Sequence, residues 1–146
     1  MRLSGQIYKE GKFWIVEIPI LDAMTQGRTR RNGLVMAKDL VESLANAVGF
    51  VVTVHPYGKI AFEISSNSSK ELTRLILKRQ RQRSGLSLAA VAQRLGSSSR
   101  NAYARYEQGK SIPSIQKLDQ LLQAVSPDHD FVVSQSSQRR RDVECE

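Results

Sequence analysis

Ser98-Ser99-Arg100-Asn101, followed by Arg105 and Lys110, is the part of this 146-residue chain best equipped for chemistry. That chemistry is recognition rather than bond making. An arginine fork pairs with the edge of guanine and an asparagine amide with that of adenine, while hydroxyls and backbone N–H groups suit phosphate oxygens. Ser87 offers a further hydroxyl at the start of the preceding helical stretch. Other reactive residue types are present in less useful patterns. Glu17, Asp22, Asp39, Glu42 and Glu63 are the raw material of a Mg²⁺ site for phosphodiester cleavage. However, Lys38, Asp39 and Glu42 fall on one helix surface and read as a solvated face, and Glu17 alternates outward on a strand. His55 precedes Pro56 and His129 lies in Pro127-Asp128-His129-Asp130, each without a nucleophile in view, so both are expected at the surface. Trp14, in an apolar strand, is expected in the core. Cys145 is the single cysteine and makes no internal disulfide; with two scattered histidines it makes no zinc site. No catalysis, cofactor or metal is expected.

The elements that must position the Ser98–Lys110 group are short helices. Leu72, Leu75, Ile76 and Arg79 recur on helical phases within Lys70–Arg83, which stops at Gly85. Leu88–Leu95 is a second helix with Ser87 as N-cap and Gly96 just past its end. Ser97-Ser98-Ser99 supplies a turn and a cap for a third, Arg100–Gln108, closed by Gly109. Ser114–Val125 is a fourth, with Ile115, Leu118, Leu121 and Leu122 as its apolar positions. Small Ala92 lets the second helix lie close to the third, and Tyr103 and Tyr106 face inward. That leaves Ser98, Ser99, Arg100, Asn101 and Arg105 outward, the arrangement of a helix that presents its N-terminal residues to a major groove.

Charge agrees with this placement. The net charge is +8, and residues 70–126, with 11 basic and 3 acidic side chains, hold the whole of it. A compact basic unit is the electrostatic footprint of a polyanion binder. A membrane span is excluded, since no run approaches the ~18–20 apolar residues required. Met1 to Gln6 hold no apolar stretch of the secretory kind, and a reducing cytoplasm is expected.

Ahead of these helices the pattern is strand-rich. Leu3–Tyr8 and Phe13–Ile18 read as a hairpin around Lys9-Glu10-Gly11-Lys12, with Pro19 limiting the second strand. Thr25-Gln26-Gly27 is a short third strand or its turn. Leu34, Val35, Ala37, Leu40, Val41, Leu44, Ala45 and Val48 mark an amphipathic helix ending at Gly49. Phe50–His55 and Ile60–Ile64 flank a Pro-Tyr-Gly-Lys turn. Ser65–Ser69 reads as a linker, and Ser126-Pro127-Asp128 as a softer border. The fold class is therefore α+β: a small sheet-plus-helix domain over 1–65, joined to an all-α helix-turn-helix domain over 70–126. Residues 127–146 form a tail, in which Phe131-Val132-Val133 can add a short strand or an interface contact and the rest is expected to be disordered.

Two resemblances sharpen these expectations. Leu86 to Val125 resembles the Cro/repressor-type helix-turn-helix family, the XRE type. The resemblance rests on Leu86-Ser87, Val91-Ala92, Leu95-Gly96, Arg105-Tyr106-Glu107-Gln108-Gly109-Lys110 and Pro113-Ser114. Gly96 to Glu107 is one residue longer than the family spacing, with the extra residue expected in Ser97–Ser99. Met1 to about Ile64 resembles the HicB antitoxin domain, a truncated RNase-H-like fold. That resemblance rests on Gly11 in its hairpin, Phe13 to Pro19, Thr25-Gln26-Gly27 and the helix containing Ala37 and Leu44. Together they imply an antitoxin of a HicAB-type toxin–antitoxin system. The front domain would neutralise a small, basic, RNA-cleaving HicA-like toxin. The back domain would bind double-stranded operator DNA as a homodimer or higher oligomer. The alternative is a stand-alone transcriptional regulator whose front domain only oligomerises or senses a ligand. An RNA-binding regulator ranks below both, because no aromatic RNA-stacking sheet motif is present.

Overall fold

Alternation is the pattern that shapes the front half: Leu3, Gly5 and Ile7 point one way while Ser4, Gln6 and Tyr8 point the other. The computed structural model describes residues 1–136, so Arg139-Arg140-Arg141, Cys145 and most of the expected disordered tail lie outside the described residues. The elements run β1 (Arg2–Glu10), β2 (Phe13–Ile18), a 3-10 turn (Pro19–Leu21), β3 (Ala23–Gly27), α1 (Arg30–Ala45), β4 (Val52–Tyr57) and β5 (Ala61–Ser66). Four helices follow: α2 (Ser69–Arg83), α3 (Leu88–Arg94), α4 (Asn101–Glu107) and α5 (Ile115–Val125). The five strands form one antiparallel sheet in the order β3-β2-β1-β5-β4. The chain is thus a mixed α/β protein with its helix-turn-helix at the C-terminal end.

One face of the sheet carries Leu3, Ile7, Val16, Ile18, Val52, Phe62 and Ile64, which pack against Ala37, Val41 and Ala45 of α1. The other face carries Tyr8, Phe13, Ile15, Glu17, Met24 and Glu63; among the described residues no helix packs on it, and the Ser136 hydroxyl donates to Glu63. Helix α1 begins earlier than Gly33 suggests. The Thr29 hydroxyl accepts the Asn32 N–H at 3.0 Å and the Asn32 amide oxygen accepts the Arg28 N–H, so a reciprocal cap starts the helix. Gly33 then sits mid-helix because the sheet is too close for a side chain. A Cβ there would lie 2.9 Å from Ile7 Cδ1, and one on Gly27 would lie 2.4 Å from the Gly33 nitrogen. The helix ends at Asn46, which takes the left-handed conformation (φ 46°), rather than at Gly49.

Several sequence expectations change in three dimensions. The β1–β2 hairpin is tighter than expected: Lys9 and Glu10 pair in the ladder and only Gly11-Lys12 turn. The serine cluster is not a spacer. Ser65 and Ser66 are the last residues of β5, and Ser68 caps α2 by accepting the Glu71 N–H. Only Asn67 lies between, and its side chain bonds the backbone of Gly49 and Val51. Lys38 and Glu42 are not a solvated face: they pair with each other at 2.6 Å and together bond both backbone groups of Val52. The Lys38 hydrogen bond, followed by the Val52 N–H, holds the Glu42 carboxyl below its ordinary range. Ile115 is not an inward position but 90% exposed, because α5 turns Leu121, Ala124 and Val125 to the core. Phe131-Val132-Val133 adds no strand, and both valines are exposed.

Helix α2 belongs to both halves. Leu72, Leu75 and Ile76 complete the core of the sheet domain, while Leu77 enters a second core with Val91, Ala92, Tyr103 and Leu121. Arg79, which sequence placed on the apolar phase, instead donates to the carbonyls of Leu21 and Asp22, and Gln80 donates to that of Ile20. Three carbonyls at the end of the 3-10 turn thus receive donors from one helix.

Candidate nucleic-acid interface

The helix-turn-helix is built on a buried polar lock. Glu107, near the end of α4, is 8% exposed and accepts from Arg81 of α2 at 2.5 and 3.1 Å. It also accepts the Tyr103 hydroxyl at 2.8 Å, and Arg81 in turn donates to the Leu86 carbonyl. The guanidinium and carboxylate meet side-on through two N–H groups, the arrangement that fixes orientation as well as distance. Burial, and then the Glu107 charge, push the Tyr103 phenol far above its ordinary range. The Glu107 hydrogen bond holds the Arg81 guanidinium in its charged form. With α4 held this way, Val91 and Ala92 of α3 pack against it, and Leu95, Leu118 and Tyr106 close the edges.

Ser87 caps α3 by accepting the Ala90 N–H at 3.0 Å. Between α3 and α4, Gly96 takes a positive φ of 78°, which only glycine adopts without strain, and the Ser97 N–H returns to the Ala92 carbonyl. The serine turn then bonds to itself: Ser99 N–H reaches the Ser97 hydroxyl, Ser97 donates to the Ser99 carbonyl, and the Ser99 hydroxyl accepts the Asn101 N–H. Ser99 therefore supports the start of α4, and Arg100 holds the cap position with no side-chain bond to the helix end.

Every sequence-predicted site residue is exposed: Ser87, Ser98, Ser99, Arg100, Asn101, Arg105 and Lys110. Ser98, Ser99, Arg100 and Asn101 fall together at the start of α4, and Arg105 lies one turn further along. Arg105 contacts the Ser111 hydroxyl, and its carbonyl receives the Lys110 N–H, so the loop carrying Lys110 is tied back to α4. Ser87 lies apart from these, at the start of α3.

This segment, two short helices joined at a tight glycine turn and backed by α2 and α5, also matches a family model in sequence. Residues 75–128 match the family model of a helix-turn-helix domain. The match begins inside α2 and ends just beyond α5, so it takes in both helices of the motif and their supports. No curated protein matches the chain. A helix-turn-helix domain of this kind suggests a DNA-binding regulator.

Sequence reasoning missed the internal use of the basic residues. Arg74, Arg79 and Arg81 all donate to carbonyls or carboxylates inside the fold. The positive charge left for a ligand is therefore narrower than the +8 of the segment, and it includes Arg94, Arg100, Arg105 and Lys110, all exposed. The signal available in sequence was the placement of Arg79 on an apolar phase.

In the front half the candidate carboxylates are dispersed. Glu17 accepts the Tyr8 hydroxyl, Glu63 pairs with Arg2, Glu42 pairs with Lys38, and Asp22 and Asp39 are exposed. No group of three or more His, Cys, Asp or Glu among the described residues is placed to hold a metal ion. His55 bonds the Ser65 hydroxyl, and His129 bonds Arg83 and Ser126. No helix among the described residues is long and apolar enough to cross a membrane.

Proposed function

We propose that this chain is the antitoxin and autorepressor of a HicAB-type toxin–antitoxin pair, acting on its own operator through the helix-turn-helix. One observation carries the DNA half of this reading. Ser98, Ser99, Arg100, Asn101 and Arg105 are exposed around the start of a helix that a buried Arg81–Glu107–Tyr103 lock holds rigid. A rigid base-reading helix loses little entropy on binding, so its side chains discriminate sequence rather than merely attract phosphate. Arg100→Ala and Asn101→Ala are expected to relax sequence preference. Equal discrimination between operator and scrambled DNA in both variants and the parent would remove these residues from base reading. Lys110→Ala is expected to weaken all DNA alike and to lower the salt slope by about one counterion.

The antitoxin half is supported by the resemblance of the front domain and by the chemistry of the sheet face opposite α1. Exposed Phe13 and Met24 stand there with Glu10 and Glu17, while Glu63 is taken by Arg2 and the Ser136 hydroxyl. An apolar patch edged by carboxylates fits a small basic protein better than a nucleic acid. The front domain binds and does not catalyse in this reading, and the protein works in the cytoplasm on the nucleoid. Native mass spectrometry of the chain purified from its intact operon tests the proposal. A second small basic chain in the complex supports it; a homo-oligomer alone leaves a stand-alone regulator.

A further inference from the structure

The sheet has two edges, and they are finished differently. Ile7 donates its N–H to Ile60 on the β5 side of β1. Strand alternation then turns Tyr8 and Ile15 toward each other, and Val16 toward Thr25 in β3. The same alternation leaves Met24 and Gln26 as the residues of β3 whose N–H and C=O aim out from the sheet. On the other edge, Val52, Val54 and Pro56 of β4 aim outward. That edge is blunted. Val52 N–H goes to the Glu42 carboxylate, the Val52 carbonyl to the Lys38 ammonium, and Pro56 has no N–H to offer. The β3 edge carries no proline, lysine or bulge, only Ala23-Met24-Thr25-Gln26-Gly27. An unguarded edge is a template for another strand.

We propose that β3 pairs with β3 of a second copy, antiparallel about Thr25, to make a continuous ten-stranded sheet. Pairing about Thr25 sets Met24 against the second copy's Gln26, so these residues exchange four ladder hydrogen bonds across the two-fold axis. Asp22, in the turn before β3, and Arg28, just after the strand, flank its two ends, so the two-fold brings these opposite charges to the same end of the contact. Both residues are exposed, so opposite charges pin the register that centres the strands. A slip of two residues would lose both charge pairs, and a slip of one would turn core faces outward. The two-fold axis stands perpendicular to the sheet, so the helical layers of both copies lie on one side. The interface stands on this geometry alone. Its consequence, two helix-turn-helix units presented to one DNA, rests on the reading of α4 as a base reader.

The full chain is expected to sediment as a dimer at micromolar concentration. Gln26→Pro removes an outward N–H without touching the β2–β3 ladder and adds a ring at the contact. It is expected to raise the dimer dissociation constant by at least about tenfold with an unchanged circular dichroism spectrum. Thr25→Cys in a Cys145→Ser background puts two thiols at a non-hydrogen-bonded pair with Cα atoms about 4.5 Å apart, so mild oxidation should give a covalent dimer. The crosslink keeps the test decisive if the proline variant does not fold. A chain that stays monomeric and uncrosslinked overturns the proposal. So does a dimer that ignores Gln26→Pro and resists crosslinking, since its contact then lies elsewhere. Failure of DNA binding in an intact crosslinked dimer would instead overturn the reading of α4 and leave the interface standing.

Discussion

Glu107 shows how much one side chain decides. In the sequence it is part of an Arg-Tyr-Glu-x-Gly run; in the fold it is a nearly buried carboxylate answering Arg81 and Tyr103 at once. Glu107→Ala would strand a 15%-exposed guanidinium and is expected to cost about 3 kcal/mol or more in chemical denaturation. The double variant Arg81→Met, Glu107→Leu should lose less than the single one, because a buried pair replaced whole leaves no orphaned charge. A single variant no worse than the double would show that the lock is not a coupled unit. Tyr103 adds a pH dependence. Its folded pKa lies above its ordinary value of 10.0, so its stabilisation is complete below that value and is lost as pH rises above it. Tyr103→Phe should therefore flatten the alkaline loss of stability, measured as melting temperature against pH. None of these roles was legible in the sequence, because a Glu in a helix reads as solvated until its neighbours from α2 are known. The exposure of Ser98, Ser99, Arg100, Asn101 and Arg105 is what the spacing of Tyr103 and Tyr106 implies, since fixing the inner face of α4 fixes the outer one.

At the scale of elements, most strands and helices follow from local pattern, and the errors concentrate where one element approaches another. Helix α1 is an example. Gly33 looks like a poor helix residue, yet it is the point where α1 touches the sheet, and Gly27 is the matching gap in β3. Gly27→Ala would bring a Cβ to 2.4 Å from a backbone nitrogen, and backbone cannot swing away as a side-chain tip can. It is expected to destabilise more than Gly33→Ala, whose nearest contact is the flexible Ile7 Cδ1. Equal melting temperatures for the two variants would mean that α1 shifts freely over β3. The serine cluster misled for a related reason. Small polar residues suit loops, but Ser65 and Ser66 have their backbone taken by the β4 and β1 ladders, and Ser68 is a helix cap.

At the scale of the molecule, α2 joins two cores rather than beginning one. Leu72, Leu75 and Ile76 serve the sheet, Leu77 serves the helical unit, and Arg74 donates to Ala45 of α1 and to Glu107 of α4. Unfolding of the full chain is therefore expected as a single transition in calorimetry, with calorimetric and van't Hoff enthalpies equal. A fragment ending at Asn67 would expose the apolar face that α2 covers and should bind an apolar dye without a cooperative melt. Two separated transitions in the full chain would mean that α2 does not couple the halves.

The sequence by itself determined the element order, the basic helical unit with its outward Arg100 and Asn101, and the inward tyrosines. These are fixed by period, capping chemistry and glycine placement, all of which act within a few residues of chain. Only the tertiary structure decided which charges are internal, where the two halves meet, and which sheet edge is sealed. Arg81 finds Glu107 26 residues away, Arg79 finds Leu21 58 residues away, and Glu42 reaches Val52 across a turn. Hydrogen-bond partners at such separations are set by how elements pack, and no local pattern encodes them.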